Sequence, residues 1–100
     1  MLLVREVFFC KPGKVKPLLE KFKTMNRLSE KLGLGPAARL MTDVSAERYW
    51  TVISEWEVKS LQDFEDLMAK SMDNKELGEV MKDYHDFVES GRREFYRIET

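Results

Sequence analysis

The chain is 100 residues long, enough for one domain but not for a catalytic unit plus a separate regulatory one. It is 43% apolar and 35% charged, and 17 Lys plus Arg against 18 Asp plus Glu leave a formal charge of −1. Basic residues interleaved with acids in this way argue against the clustered cationic face of a nucleic-acid binder. A single cysteine, Cys10, excludes an intrachain disulfide and a thiolate zinc site.

Leu2 to Phe9 is dense in Leu, Val and Phe and predicts a first strand. Lys11-Pro12-Gly13-Lys14 punctuates it. Val15, Leu18, Leu19, Phe22, Met25, Leu28 and Leu32 then recur every three or four residues, the apolar stripe of a helix. Pro17 falls in the opening turn, where its missing N–H costs no bond. Gly33 is expected to cap this helix in the left-handed conformation, with Leu34 folding back and Pro36 preventing continuation. Ala37 to Val44 and Tyr49 to Val58 predict two strands of a hairpin joined through Ser45-Ala46-Glu47. Ser60-Leu61-Gln62-Asp63 has the form of a capping box opening a short helix, whose apolar face is Leu61, Phe64, Leu67 and Met68. Asp73-Asn74-Lys75-Glu76 repeats that form. The stripe Leu77, Val80, Met81, Tyr84, Phe87 and Val88 predicts a longer helix ended by Gly91, with Arg92-Arg93 complementing its dipole. Glu94 to Glu99 is the expected last strand.

The N-terminal Met1-Leu2-Leu3-Val4-Arg5-Glu6 has no basic region leading into an apolar stretch, as a signal peptide would. No apolar run approaches the ~20 residues of a membrane span. With the lone thiol, these features lead us to expect a cytoplasmic protein with no membrane or nucleic-acid partner. The order of elements, β-α-β-β-α-α-β over residues 1–100, predicts an α+β, ferredoxin-like domain: a four-stranded antiparallel sheet with helices on one face. A sheet covered on one side should alternate apolar and polar residues. Here Leu2, Val4 and Phe8 alternate with Leu3, Val7 and Phe9, and Trp50, Val52 and Trp56 with Tyr49 and Ile53. An apolar second face predicts a homodimer pressed sheet to sheet, a dimeric α/β barrel. The charges Arg5, Glu6, Glu55 and Arg97 interrupt the two faces and are candidates for cross-strand ion pairs.

The Lys11-Pro12-Gly13-Lys14 turn before the first helix, and the Ser54-Glu55-Trp56-Glu57 strand running into a Ser60-capped helix, together with the element order, resemble the dimeric α/β-barrel superfamily. Within it the chain is similar to the NIPSNAP-like proteins and next to the antibiotic biosynthesis monooxygenase group. The resemblance spans nearly the whole chain. It implies a face-to-face dimer and a pocket between sheet and helices, and it fixes no single activity, because the superfamily includes cofactor-free oxygenases, heme-degrading enzymes and isomerases. The heme-degrading members pair a late-helix His with an Asn on the first strand, and no Asn stands there in this chain.

Few residues carry chemistry. His85 is the only imidazole, which removes two-histidine metal sites, and it is the one candidate proton carrier. Trp50 and Trp56, sharing a strand face by period two, and Tyr96 are the candidate ligand-binding rings. The six methionines are read as core filler. Gly33-Leu34-Gly35-Pro36 follows a helix and precedes a strand, the reverse of a phosphate loop. No Gly-x-Ser-x-Gly occurs, and Asp63, Glu65 and Asp66 belong to the polar side of a helix. We therefore expect no metal and no cofactor. The leading expectation is binding of a small, partly apolar molecule; the alternative is a cofactor-independent monooxygenase or isomerase acting on an aromatic or polyketide-like substrate, with Trp56 and Tyr96 holding the ring and His85 moving a proton.

Overall fold

The computed structural model describes residues 1–100. Its elements are β1 (Leu2–Cys10), α1 (Val15–Leu32), β2 (Arg39–Thr42), β3 (Thr51–Val58), α2 (Leu61–Asp73), α3 (Lys75–Met81), a 3-10 turn (Tyr84–Phe87) and β4 (Val88–Arg97). The four strands form one antiparallel sheet in the order β2-β3-β1-β4. This is the ferredoxin-like α+β arrangement the sequence predicts.

Cross-strand pairing fixes the two faces. Val4 lies between Trp56 and Phe95, and Phe8 between Val52 and Gly91, so even-numbered β1 residues share a face with Val52, Ser54 and Trp56. The helices cover this face. Val4, Val58 and Phe64 form one buried cluster; Cys10, Leu18, Phe22 and Val52 form a second. Leu18, Leu77, Val4 and Val52 are sealed from solvent. Each such side chain contributes about 1.5–3 kcal/mol relative to its exposed state.

Helix ends follow the local chemistry. Gly33 sits at φ 67°, and the N–H groups of Gly33 and Leu34 donate to Glu30 and Ser29, the expected left-handed cap. The Ser60 hydroxyl accepts from the Asp63 N–H at 3.1 Å. At α3 the cap is Asn74, whose Oδ1 accepts from the Leu77 N–H, while Asp73 closes α2.

Two expectations fail. The first is the long last helix. α3 stops at Met81, Asp83 reverses the chain at φ 69°, and Tyr84 to Phe87 make a single 3-10 turn. Lys21 of α1 donates to the carbonyls of Val80 and Lys82 at 2.9 and 2.7 Å, holding the frayed end of α3 in place. Gly91, Arg92 and Arg93 are thus strand residues of β4 and cap no helix. Gly91 pairs with Phe8, and a Cβ there would meet the Val7 carbonyl oxygen at 2.7 Å. Glycine at 91 serves close strand approach rather than helix termination. The second failure is the length of the hairpin strands. β2 and β3 are paired only from Arg39–Thr42 to Val52–Glu55, and residues 43–50 form a loop. Asp43 Oδ1 accepts from the Thr51 N–H at 2.8 Å, and the Trp50 carbonyl accepts from the Cys10 N–H at 2.8 Å. With its carbonyl held there, Trp50 adopts φ 62°, outside the strand geometry that was to align it with Trp56.

Candidate functional site

Between the sheet and the helical layer lies a cavity of about 420 Å3. Its floor is the helix-facing side of the sheet, with Glu6 and Phe8 from β1, Ser54 and Trp56 from β3, and Arg93 from β4. One wall is α1, through Phe22, Met25 and Asn26. The opposite wall is α2 and α3, through Leu67, Met68, Met72, Leu77 and Met81, and Tyr84 closes one end. The alternation of β1 and β3 and the three-to-four spacing of the helices deliver these side chains to one space.

Four of the six methionines, Met25, Met68, Met72 and Met81, border the cavity. In the sequence they look scattered over three helix stripes; folding brings the stripes together. Unbranched thioethers make an adaptable, polarisable wall suited to an apolar guest. Asn26 is spent internally: its amide donates to the Ala38 carbonyl and accepts from the Ala38 N–H, at 2.9 and 3.1 Å, so it behaves as an extra strand residue beside β2.

The hydroxyl residues Ser29, Ser54, Ser71 and Tyr84 also line the cavity, and two further polar features stand out. Glu6 and Arg93, the only charged residues of the lining, pair with each other at 2.9 Å. The Arg93 guanidinium also lies 4.9 Å from the centre of the Phe64 ring. Trp56 stacks against Phe64 with ring centres 6.3 Å apart, and its indole Nε1 is shielded from solvent with no hydrogen-bond partner. A buried donor left unpaired costs about 1–3 kcal/mol.

The other sequence candidates go elsewhere. His85 is exposed on the 3-10 turn, its ring 4.0 Å from that of Tyr84, and it does not border the cavity. Trp50 borders a separate shallow depression with Val15, Thr42, Asp43 and Tyr49. Tyr96 pairs with Leu3 and lies on the opposite, uncovered face of the sheet. Of the four, only Trp56 reaches the cavity. Glu6 and Arg93, its two charged members, were not among the sequence candidates for this site. A signal existed for Glu6, which falls on the Val4–Phe8 face, but Arg93 was assigned to a helix end.

The uncovered face is more polar than its sequence pattern suggests. Glu55 is only 5% exposed and accepts from Arg5 on β1 and Arg39 on β2, at 3.0 and 2.7 Å. Arg48 and Arg92 lie 4.2 and 5.5 Å from the Phe9 ring centre, and Arg5 lies 5.9 Å from that of Tyr96. Guanidinium groups therefore lie over the Phe9 and Tyr96 rings, and Val7 and Phe9 are buried rather than hydrated. The Arg92 hydrogen bond holds the Glu94 carboxyl below its ordinary value. Burial, and secondarily the charge of Asp43, holds the Cys10 thiol above its ordinary value, which suits a packed hydrophobe rather than a nucleophile. No group of three or more His, Cys, Asp or Glu side chains comes together, and no helix is long and apolar enough to cross a membrane.

No family model and no curated protein matches the chain. Solved structures do. A NIPSNAP family protein of unknown function from Agrobacterium tumefaciens superposes with a TM-score of 0.81 at 16% identity, covering 96% of this chain and 86% of that one. An uncharacterized NIPSNAP domain protein from Burkholderia xenovorans gives 0.78 at 16% identity, covering 98% and 94%. An antibiotic biosynthesis monooxygenase gives 0.71 at 14% identity, covering 98% of each chain. At these identities the likeness is one of fold, and it agrees with the resemblance carried by the turn and strand motifs. The chain thus has the ferredoxin-like fold of the NIPSNAP-family and antibiotic-biosynthesis-monooxygenase structures.

Proposed function

We propose that this protein is a homodimer whose protomers each bind a small, partly apolar molecule in the cavity between sheet and helices. The cavity carries the reading. Its volume of about 420 Å3 falls within the ~300–1,000 Å3 of small-molecule sites, and 12 of its 20 lining residues are hydrophobic. Binding is favoured over catalysis by the polar inventory: the charged groups of the lining neutralise each other, and the one imidazole of the chain is outside it. General acid–base work requires a titratable group within hydrogen-bond reach of the reacting atom, and besides that ion pair the lining offers only the Tyr84 phenol.

Dimerisation is supported by the uncovered sheet face. The protomer is a slab of 35 × 34 × 18 Å, and its broad face exceeds the ~800 Å2 per partner of a standard interface. Leu3, Met41, Ile53 and Tyr96 remain partly or fully exposed there.

Titration with N-phenyl-1-naphthylamine, a neutral probe that fluoresces when removed from water, tests the binding reading. One probe per chain is expected. Gly78→Leu in α3 adds a side chain at the cavity lining where open space surrounds the glycine, and leucine favours helix over glycine by roughly 1 kcal/mol. This variant should fold and bind the probe at least tenfold more weakly. Undiminished binding would place the probe elsewhere.

A further inference from the structure

We infer that the cavity selects uncharged ligands bearing a hydrogen-bond acceptor, such as a ketone or ester carbonyl, and that the Trp56 indole N–H is the group that recognises it. The inference rests on the binding reading above and specifies the ligand's chemistry.

Three observations lead there. First, Trp56 borders the cavity and its Nε1 has no partner in the protein. Indole Nε1–H can only donate, so what it lacks is an acceptor. Second, the charges at the cavity are already matched. Arg93 donates to Glu6 from both Nε and a terminal nitrogen, at 3.1 and 2.9 Å, and faces the Phe64 ring. An anionic ligand would lie beside the Glu6 carboxylate, and a cationic one beside the Arg93 guanidinium. A neutral ligand disturbs neither. Third, the surroundings of Trp56 can yield. Met68 borders the cavity and packs against the same cluster as Trp56, and a flexible thioether there lets the lining beside the indole adjust to a guest.

The rest of the lining makes Trp56 the discriminating group. Asn26 is committed to Ala38, the hydroxyls of Ser29, Ser54, Ser71 and Tyr84 can donate or accept and so suit either kind of polar guest, and the methionine and leucine side chains attract any apolar guest without choosing among polar ones. Apolar contact then sets affinity, and the one unpaired group that can donate but not accept sets which guests are preferred.

Three naphthalenes of matched size test this: 2-acetylnaphthalene, 2-isopropenylnaphthalene, in which a CH2 replaces the carbonyl oxygen, and 2-naphthoate. Calorimetric titration of the wild-type protein should show the ketone binding about tenfold tighter than the hydrocarbon, as one hydrogen bond to a buried unpaired donor allows. The naphthoate should bind weakest. In Trp56→Phe the ketone and hydrocarbon should bind equally. A second readout needs no substitution in the cavity. Of the two indole 1H–15N cross-peaks, that of Trp56 should move downfield with the ketone and not with the hydrocarbon, while that of Trp50, identified by its loss in Trp50→Phe, stays in place. Equal affinities in the wild type, a preference that survives in Trp56→Phe, or tightest binding of the naphthoate would each overturn the inference while leaving the cavity as a binding site. If no naphthalene binds, the binding reading falls with it.

Discussion

Single residues carry more of this fold than their type suggests. Gly91 is the clearest case. In the sequence it follows an apolar stripe of helical spacing and looks like a stop signal; in the structure it lets β4 lie close beside β1 at Phe8. Gly91→Ala would place a methyl group 2.7 Å from the Val7 carbonyl oxygen, and the strands must shift to admit it. We expect a loss of about 1–3 kcal/mol, the usual cost of overpacking a close contact. The midpoint of urea unfolding measures it, and an unchanged midpoint would contradict the strand pairing. Trp50 shows the same limit of sequence reading. Period two places it on a face with Trp56, yet the loop it closes holds it at positive φ, an arrangement set by Cys10 forty residues earlier. Local periodicity contains no trace of a partner so distant.

At the scale of elements, the sequence is most legible where a local signal and a tertiary one agree. α1 carries its stripe, its glycine cap and its proline stop within one stretch, and it runs from Val15 to Leu32 as expected. α2 begins at its serine cap for the same reason. The end of α3 is different, because what holds it is Lys21, 59 and 61 residues away along the chain. A cation at a helix C-terminus satisfies carbonyls that have no intrahelical partner. Lys21→Met keeps the aliphatic stem and removes the donors, and the expected cost is about 1.5–3 kcal/mol for hydrogen bonds from a charged group. Faster amide exchange in Gly78 to Met81 than in α1 would accompany it. A variant as stable as the wild type, with α3 equally protected, would show that the lysine does not hold the helix end.

For the molecule as a whole, the two proposed roles divide between the two faces of the sheet. Its helix-facing side floors the cavity, where apolar walls meet one neutralised ion pair and one unpaired indole nitrogen. Its other side carries arginines and carboxylates around the Phe9 ring and is the face proposed for the dimer contact. Sedimentation of the wild type should give a species of twice 11.8 kDa at micromolar concentration. Ile53→Arg, which adds a cation to a face already holding Arg5, Arg39 and Arg92, should sediment as the folded protomer. A wild type that sediments as one chain would remove the dimer without touching the cavity. The alternation of β1 and β3 made the two faces legible in advance. The composition of the cavity was not, because Met25, Met68, Met72 and Met81 belong to three helices whose relative placement no single stripe encodes.

The methionines also offer the most direct test of the binding site. With 13C-methyl methionine labelling, N-phenyl-1-naphthylamine should shift the ε-methyl signals of Met25, Met68, Met72 and Met81, which border the cavity, and leave Met1 and Met41, which do not, in place. Shifts at Met41 and Met1 with the four cavity signals unmoved would place the ligand on the sheet's other face or at its edge and contradict the account.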